Sequence, residues 1–163
     1  MNRLEPAGFA SGDADRQSRN ELVVGQVRAR LAECEGSPSE ELIVGLWHPW
    51  SGLCVVALRG EMDMRNAAAL CRTVDGRVGA ASCDLIVELS QLTFMDSSGI
   101  NELLQLARTL DADGGMIILA APTAPVARVF EIVSLGAALT VLQSLEAALT
   151  HISSTPTVPP MAA

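Results

Sequence analysis

The chain has 163 residues, of which 49% are hydrophobic and 18% charged, a length and balance that suit one folded core and exclude a disordered acidic polymer. Nineteen acidic against eleven basic residues give a formal charge of -8, and without a basic run nucleic acid is not an expected partner. Every basic residue is an arginine, which removes Walker-type phosphate binding and Schiff-base chemistry, both of which need a lysine amine.

Residues 1–16, rich in Gly, Ala and Asp, read as disordered. Ser18 and Glu21 then have the spacing of a capping box, and Val23, Val24, Val27 and Leu31 follow at helical intervals. A helix over residues 19–35 is expected, stopped by Gly36 and Pro38, with Ser37-Pro38-Ser39 as a linker. Its apolar stripe must cover the domain or a partner. The longest apolar stretch, residues 116–121, is far too short to span a bilayer, and no export signal is read at the N-terminus. A cytoplasmic protein with no membrane partner is the expectation.

Two β-type runs, 42–47 and 53–58, flank His48-Pro49-Trp50-Ser51-Gly52, a connection of hairpin length. The sheet should therefore open with an antiparallel pair. Met64, Ala67, Ala68, Cys71, Val74 and Val78 recur at helical spacing and predict a helix over 64–78, followed by a strand over 85–89. From 97 to 110, Ile100, Leu103, Leu104, Leu106, Ala107 and Leu110 share one side of a helix; Asn101, Glu102, Gln105, Arg108 and Thr109 share the other. A buried strand over 116–120, a helix over 123–133 with Val126, Val129, Phe130 and Val133 inward, a short strand over 139–142 and a Ser144-capped helix through Leu149 complete the order. Helices separating buried strands predict an α/β fold with a mainly parallel sheet and an antiparallel first strand, packed by about four helices beside the N-terminal one.

Cys34, Cys54, Cys71 and Cys83 are widely spaced, with only His48 and His151 to join them, so reduced buried thiols are expected rather than a metal site. Cys54 and Cys83 fall on strands expected to be neighbours; no stable bridge between them is predicted. Trp47 and Trp50 flank the hairpin and read as packing under the sheet end, with a partner anchor as the alternative. Glu61, Asp63 and Asp96 read as a solvated acidic face rather than cation ligands.

The informative segment is Asp96-Ser97-Ser98-Gly99, where a buried strand passes into a helix. Open α/β sheets gather functional sites at the carboxyl ends of such strands, and unpaired N–H groups at a helix entrance favour an oxygen or a negative charge. Ser and Asp are also the usual helix caps, so these residues alone leave a purely structural role open. A serine hydrolase would need a nucleophile elbow and a nearby histidine, and a receiver-type aspartate would need a lysine; neither pattern is present, and no enzyme activity is expected.

Arg59-Gly60-Glu61-Met62-Asp63, Asp96-Ser97-Ser98-Gly99 and Gly114-Gly115-Met116-Ile117-Ile118-Leu119, in this order and spacing, resemble STAS domains, specifically bacterial anti-sigma factor antagonists. The resemblance runs from about Glu41 to Thr150. It implies a STAS domain over 41–150, leaving 1–40 as an N-terminal extension and 151–163 as a flexible tail, in which 155–163, with three prolines, reads as loose. It further implies that Ser97 accepts phosphate from an anti-sigma factor that is also a kinase, that the unphosphorylated form binds this partner, and that a serine phosphatase resets the switch. The partner-binding set carried over is Gly60, Glu61, Asp63, Asp96, Ser97, Ser98, Gly99, Asn101 and Glu102, with no cofactor. The alternative role is an accessory or scaffold STAS subunit of a transporter or signalling complex, without phospho-switching. A phosphate on Ser97 is expected to be accommodated by the backbone donors and dipole of the helix entrance.

Overall fold

A computed structural model describes residues 11–33, 42–75 and 83–155. Along them run α1 (Ser11–Glu33), β1 (Ile43–Trp50), β2 (Leu53–Met62), α2 (Ala68–Asp75), β3 (Asp84–Met95), α3 (Ser97–Ala112), β4 (Ile117–Ala120), α4 (Ala124–Ile132), a 3-10 turn (Leu135–Ala137), β5 (Thr140–Leu142) and α5 (Leu145–Ser154). The five strands lie in sequence order; β1 is antiparallel to β2 and the other pairs are parallel. This is the expected sheet, with α2 to α5 as the four helices and α1 as the addition.

Strand periodicity sorts the side chains into two cores. Cys54, Val56, Leu58, Leu85, Val87 and Leu89 face the layer that carries α2, α3 and α4. Leu53, Val55, Ala57, Ile86 and Ala120 face the opposite layer, which holds Val23, Val24 and Val27 of α1 and Leu145, Ala148, Leu149 and Ile152 of α5. The stripe of α1 therefore docks on the domain itself. Arg28 of α1 bonds Glu146 of α5 at 3.0 Å, and the Arg19 guanidinium lies 4.5 Å from the Trp50 ring centroid. Trp47 and Trp50 pack against this second core, the location expected of them.

Several boundaries differ from expectation. α1 begins at Ser11 rather than Arg19, so Ser18 and Glu21 lie inside it and cap nothing. Asp13 in its first turn complements the dipole, and Ala14, Arg16 and Gln17 favour helix. Its expected stop at Gly36 and Pro38, and the 37–39 linker, lie outside the described residues. The second helix covers only Ala68–Asp75; residues 64–67 form turns, and Met64, expected to face inward, is 80% exposed. The predicted end of that helix at Val78 lies outside the described residues.

β1 continues through Pro49 to Trp50, with its register broken between Trp47 and Trp50. β3 runs on to Met95 because its last residues pair with β2 across two register shifts. Val133 is turned out because α4 stops at Ile132. α5 continues to Ser154, so residues 151–154 belong to that helix rather than to the tail.

Candidate functional site

The carboxyl ends of β2 and β3 meet beside the entrance of α3. Gly60 lies between the two register shifts of the β2–β3 ladder with φ at 97°, a left-handed conformation that suits glycine. Its carbonyl accepts from the Thr93 hydroxyl at 3.0 Å. Beyond this irregularity the two strand ends stay joined, and the Asp96 N–H at the entrance of α3 donates to the Met62 carbonyl at 3.2 Å.

The turn after β2 is closed by its own side chains. The Asp63 N–H donates to Asn66 Oδ1 at 2.9 Å, and Asn66 Nδ2 donates to the Glu61 carbonyl at 2.9 Å. Asp63 Oδ1 accepts from the Arg65 N–H at 2.8 Å, while Oδ2 accepts from Arg65 Nε and Nη2 at 2.9 and 2.7 Å. The Arg65 side chain holds the Asp63 carboxyl below the usual carboxylate range.

Asp96 is the N-cap of α3. Its Oδ1 accepts from the N–H groups of Ser98 and Gly99 at 2.8 and 3.2 Å, and its Oδ2 accepts from the Met64 N–H at 3.2 Å. One carboxylate thus caps the helix and pins the turn after β2 to it. The Ile100 N–H is also used, on the Asp96 carbonyl at 3.2 Å. Asp96 already occupies the N–H groups of Ser98 and Gly99, two of the donors expected to face a phosphate on Ser97.

Among the residues singled out in the sequence, Ser97 and Asn101 are exposed on successive turns of α3. Gly60, Glu61, Asp63, Asp96, Ser98 and Glu102 are partly buried around them. Gly99 is different: it is buried, and a Cβ there would lie 2.6 Å from Met95 Cγ and 3.3 Å from Met62 Cγ. It offers no surface and acts by letting α3 approach the strand ends. Met64, Arg65, Asn66 and Phe94, absent from the sequence-based set, belong to the same end of the sheet. The Asp63-x-x-Asn66 spacing was a readable sign of a side-chain-closed turn. Phe94, which pairs with Glu61, is 46% exposed and follows from no simple alternation, because the register shift beside it resets the faces.

Among the described residues no group of three or more His, Cys, Asp or Glu is arranged to hold a metal ion. Cys54, Cys71 and Cys83 are free thiols; Cys54 is buried, whereas Cys71 and Cys83 are only partly so. Contact with Cys83, followed by burial, pushes the Cys54 thiol up, and burial with Glu102 nearby pushes Cys71 up to about 12. Neither is a thiolate at neutral pH. Cys34 lies outside the described residues. No helix of the described residues is long and apolar enough to cross a membrane.

A family model described as the STAS domain matches residues 50–148. An anti-sigma F factor antagonist of Paenibacillus polymyxa is 26% identical over 102 residues, spanning 62% of this chain and 87% of that protein. The crystal structure of an anti-sigma factor antagonist from Mycobacterium paratuberculosis is similar with a TM-score of 0.62 and 26% identity, covering 73% of this chain and 98% of that one. The anti-sigma factor antagonist SpoIIAA is similar in its unphosphorylated form (TM-score 0.60, 25% identity, 69% and 98% covered). Its phosphorylated form, from Bacillus, has a TM-score of 0.54 and 27% identity, with 68% and 99% covered.

Proposed function

Because the chain belongs to the STAS-domain family, we propose that it is an anti-sigma factor antagonist of the bacterial cytoplasm whose hold on its partner is switched at Ser97. In this reading the unphosphorylated chain captures an anti-sigma factor kinase and so frees a sigma factor for transcription. Residues 41–150 are the STAS domain that does this, and residues 1–40 are an added arm. The observation that carries the proposal is the exposed Ser97 at the first turn of α3, beside a capping aspartate, in a chain similar to a protein solved in both unphosphorylated and phosphorylated forms.

The chemistry needs little from this chain. The kinase transfers the γ-phosphoryl group of ATP to Ser97 Oγ, ADP leaves, and the hydroxyl proton passes to solvent or to the kinase. The product carries about -1.5 to -2 further charges at neutral pH, beside Asp96 and on a face that already holds Glu61, Asp63 and Glu102. Like-charge crowding and the cost of burying an unpaired phosphate then fall on the complex, and the partner is released. A serine phosphatase restores the binding form.

Incubation with the cognate kinase and ATP, read by peptide mass spectrometry and pull-down, tests this. Phosphate should map to Ser97, be absent from Ser97→Ala and persist in Ser98→Ala. Ser97→Ala should stay bound in ATP, and Ser97→Asp should bind more weakly. Phosphate on Ser98, or none on either serine, would overturn the assignment.

A further inference from the structure

A phosphate on Ser97 meets a neighbouring carboxylate and a helix entrance whose Ser98 and Gly99 donors are taken by Asp96. A cation from the chain would stabilise a dianion in that position, and with no lysine in the sequence an arginine is the side chain that suits it. Among the described arginines, Arg108 is some eleven residues further along α3, or about 16 Å away at helical rise. Arg59 lies within β2 and reaches the Leu31 carbonyl at 3.5 Å. Arg72 is in the last turn of α2, and Arg128 is in α4. Arg65 follows directly after Met64, whose N–H is held by the Asp96 carboxylate, so the clamp that caps α3 also brings the Arg65 backbone to the Ser97 end of the helix.

The Arg65 side chain is 71% exposed, and its contacts include Asp63 Oδ2 through Nε and Nη2. The Asp63 carboxylate and a phosphate dianion compete for the same guanidinium edge, and the phosphate offers more charge and more acceptor oxygens. The backbone bond from the Arg65 N–H to Asp63 Oδ1 needs no change in this exchange, so the turn persists while the side chain transfers.

We propose that Arg65 is the residue that reads the modification: when Ser97 carries phosphate, the Arg65 guanidinium leaves Asp63 and pairs with it. The inference rests on Ser97 being the acceptor and adds what the modified state looks like. Transfer covers part of the phosphate charge, steadies the modified form and takes the guanidinium from Asp63 Oδ2, while Oδ1 keeps the Arg65 N–H. The surface offered to the anti-sigma factor then changes at two points, the phosphate and Asp63 Oδ2.

The test uses the full chain with phosphoserine built in at position 97 during synthesis, so that no kinase is involved. Phosphorus NMR across a pH titration reads the second ionisation of that phosphate in the parent chain and in Arg65→Gln, Arg65→Lys and Arg108→Gln. The parent should ionise lower than Arg65→Gln by at least about half a pH unit, Arg65→Lys should fall between them, and Arg108→Gln should match the parent. Amide NMR spectra of each chain verify folding, which an exposed position should not disturb. Equal titration of the parent and Arg65→Gln, or an equal shift in Arg108→Gln, would overturn the proposal. Failure of Ser97 as the acceptor would show separately, as no phosphate transferred to the unmodified chain by its kinase.

Discussion

Met64 and Asp96 are joined across the gap between the turn after β2 and the entrance of α3: the Met64 N–H donates to Asp96 Oδ2 at 3.2 Å while Oδ1 of the same carboxylate caps the helix. The contact gives Asp96 a positioning role more definite than membership of an acidic face. Asp96→Ala should cost about 0.5 to 2 kcal/mol, the usual range for a lost cap, and should free the turn as well. Asp96→Asn keeps the cap through its one amide oxygen but sets its NH2 group against the Met64 N–H, so it should fall between the parent and Asp96→Ala. Urea unfolding of the two variants separates the cap from the Met64 contact; equal losses would mean that the cap contributes little.

Gly99→Ala sets two effects against each other. Alanine favours a helix interior by up to about 1 kcal/mol over glycine, yet its Cβ would sit 2.6 Å from Met95 Cγ. Inserted methyl groups in packed cores cost about 1 to 3 kcal/mol, and Met95 is itself buried, so packing should win. A net loss on the order of 1 kcal/mol in denaturant unfolding is expected, with the first turn of α3 pushed outward. A gain in stability would show that Met95 yields freely.

Glu88 lies on the α1–α5 side of β3, is 4% exposed, and has one oxygen without a partner while the other accepts from the Ser90 N–H at 3.1 Å. Burial raises its pKa, opposed by the Ser90 bonds and by Arg28. Because the folded-state value lies above the unfolded one, the protonated acid favours folding. That contribution is complete below the ordinary carboxylate range and is lost as pH rises through the raised value. Thermal melts of the parent should fall as pH climbs through that window. Glu88→Gln should melt higher than the parent at neutral pH and lose this pH dependence; a lower melting point at pH 7 would mean that the ionised form is satisfied in place.

Removal of residues 1–36 should lower the melting temperature by several degrees. Val23, Val24 and Val27 are buried on the inner face of α1, and each fully buried valine is worth about 1.5 to 3 kcal/mol before entropy is subtracted. Val27→Asp in the full chain should reproduce much of the loss. Arg28→Ala should change little, since its bond to Glu146 is largely solvent-exposed and such pairs contribute about 0 to 1 kcal/mol. An unchanged melting temperature after truncation would show that the apolar contacts of α1 are offset by the cost of ordering it.

The sheet order, the faces of α3 and the Ser144 cap were legible because each rests on local periodicity or a single side-chain bond. The start of α1 was not, because Ser18 and Glu21 reproduce the spacing of a cap within a helix already begun at Ser11. Gly99 was read as part of the binding face, yet it lies four positions before Leu103 on the inward stripe, a sign available in the sequence. Arg65 escaped notice because its neighbours are set by a turn that places Asp63, Met64 and Asp96 together; no repeat marks such a meeting of two loops. Phe94 escaped for a related reason, since a register shift has no compositional signature.

The broken register of β1 also bears on how this protein behaves when crowded. β1 is an outer strand of the sheet, and an outer strand is a template onto which another chain can add its own backbone. Pro49 has no N–H to offer an incoming strand, and the irregularity between Trp47 and Trp50 bends the rail just before it. Only the stretch from Ile43 to Trp47 keeps a regular ladder with β2, and at the opposite rim β5 spans just Thr140–Leu142. Strand addition at either rim is thus confined to a short run, about five residues at β1 and three at β5, and an incoming chain meets a break where a long flat edge would have offered a continuous template.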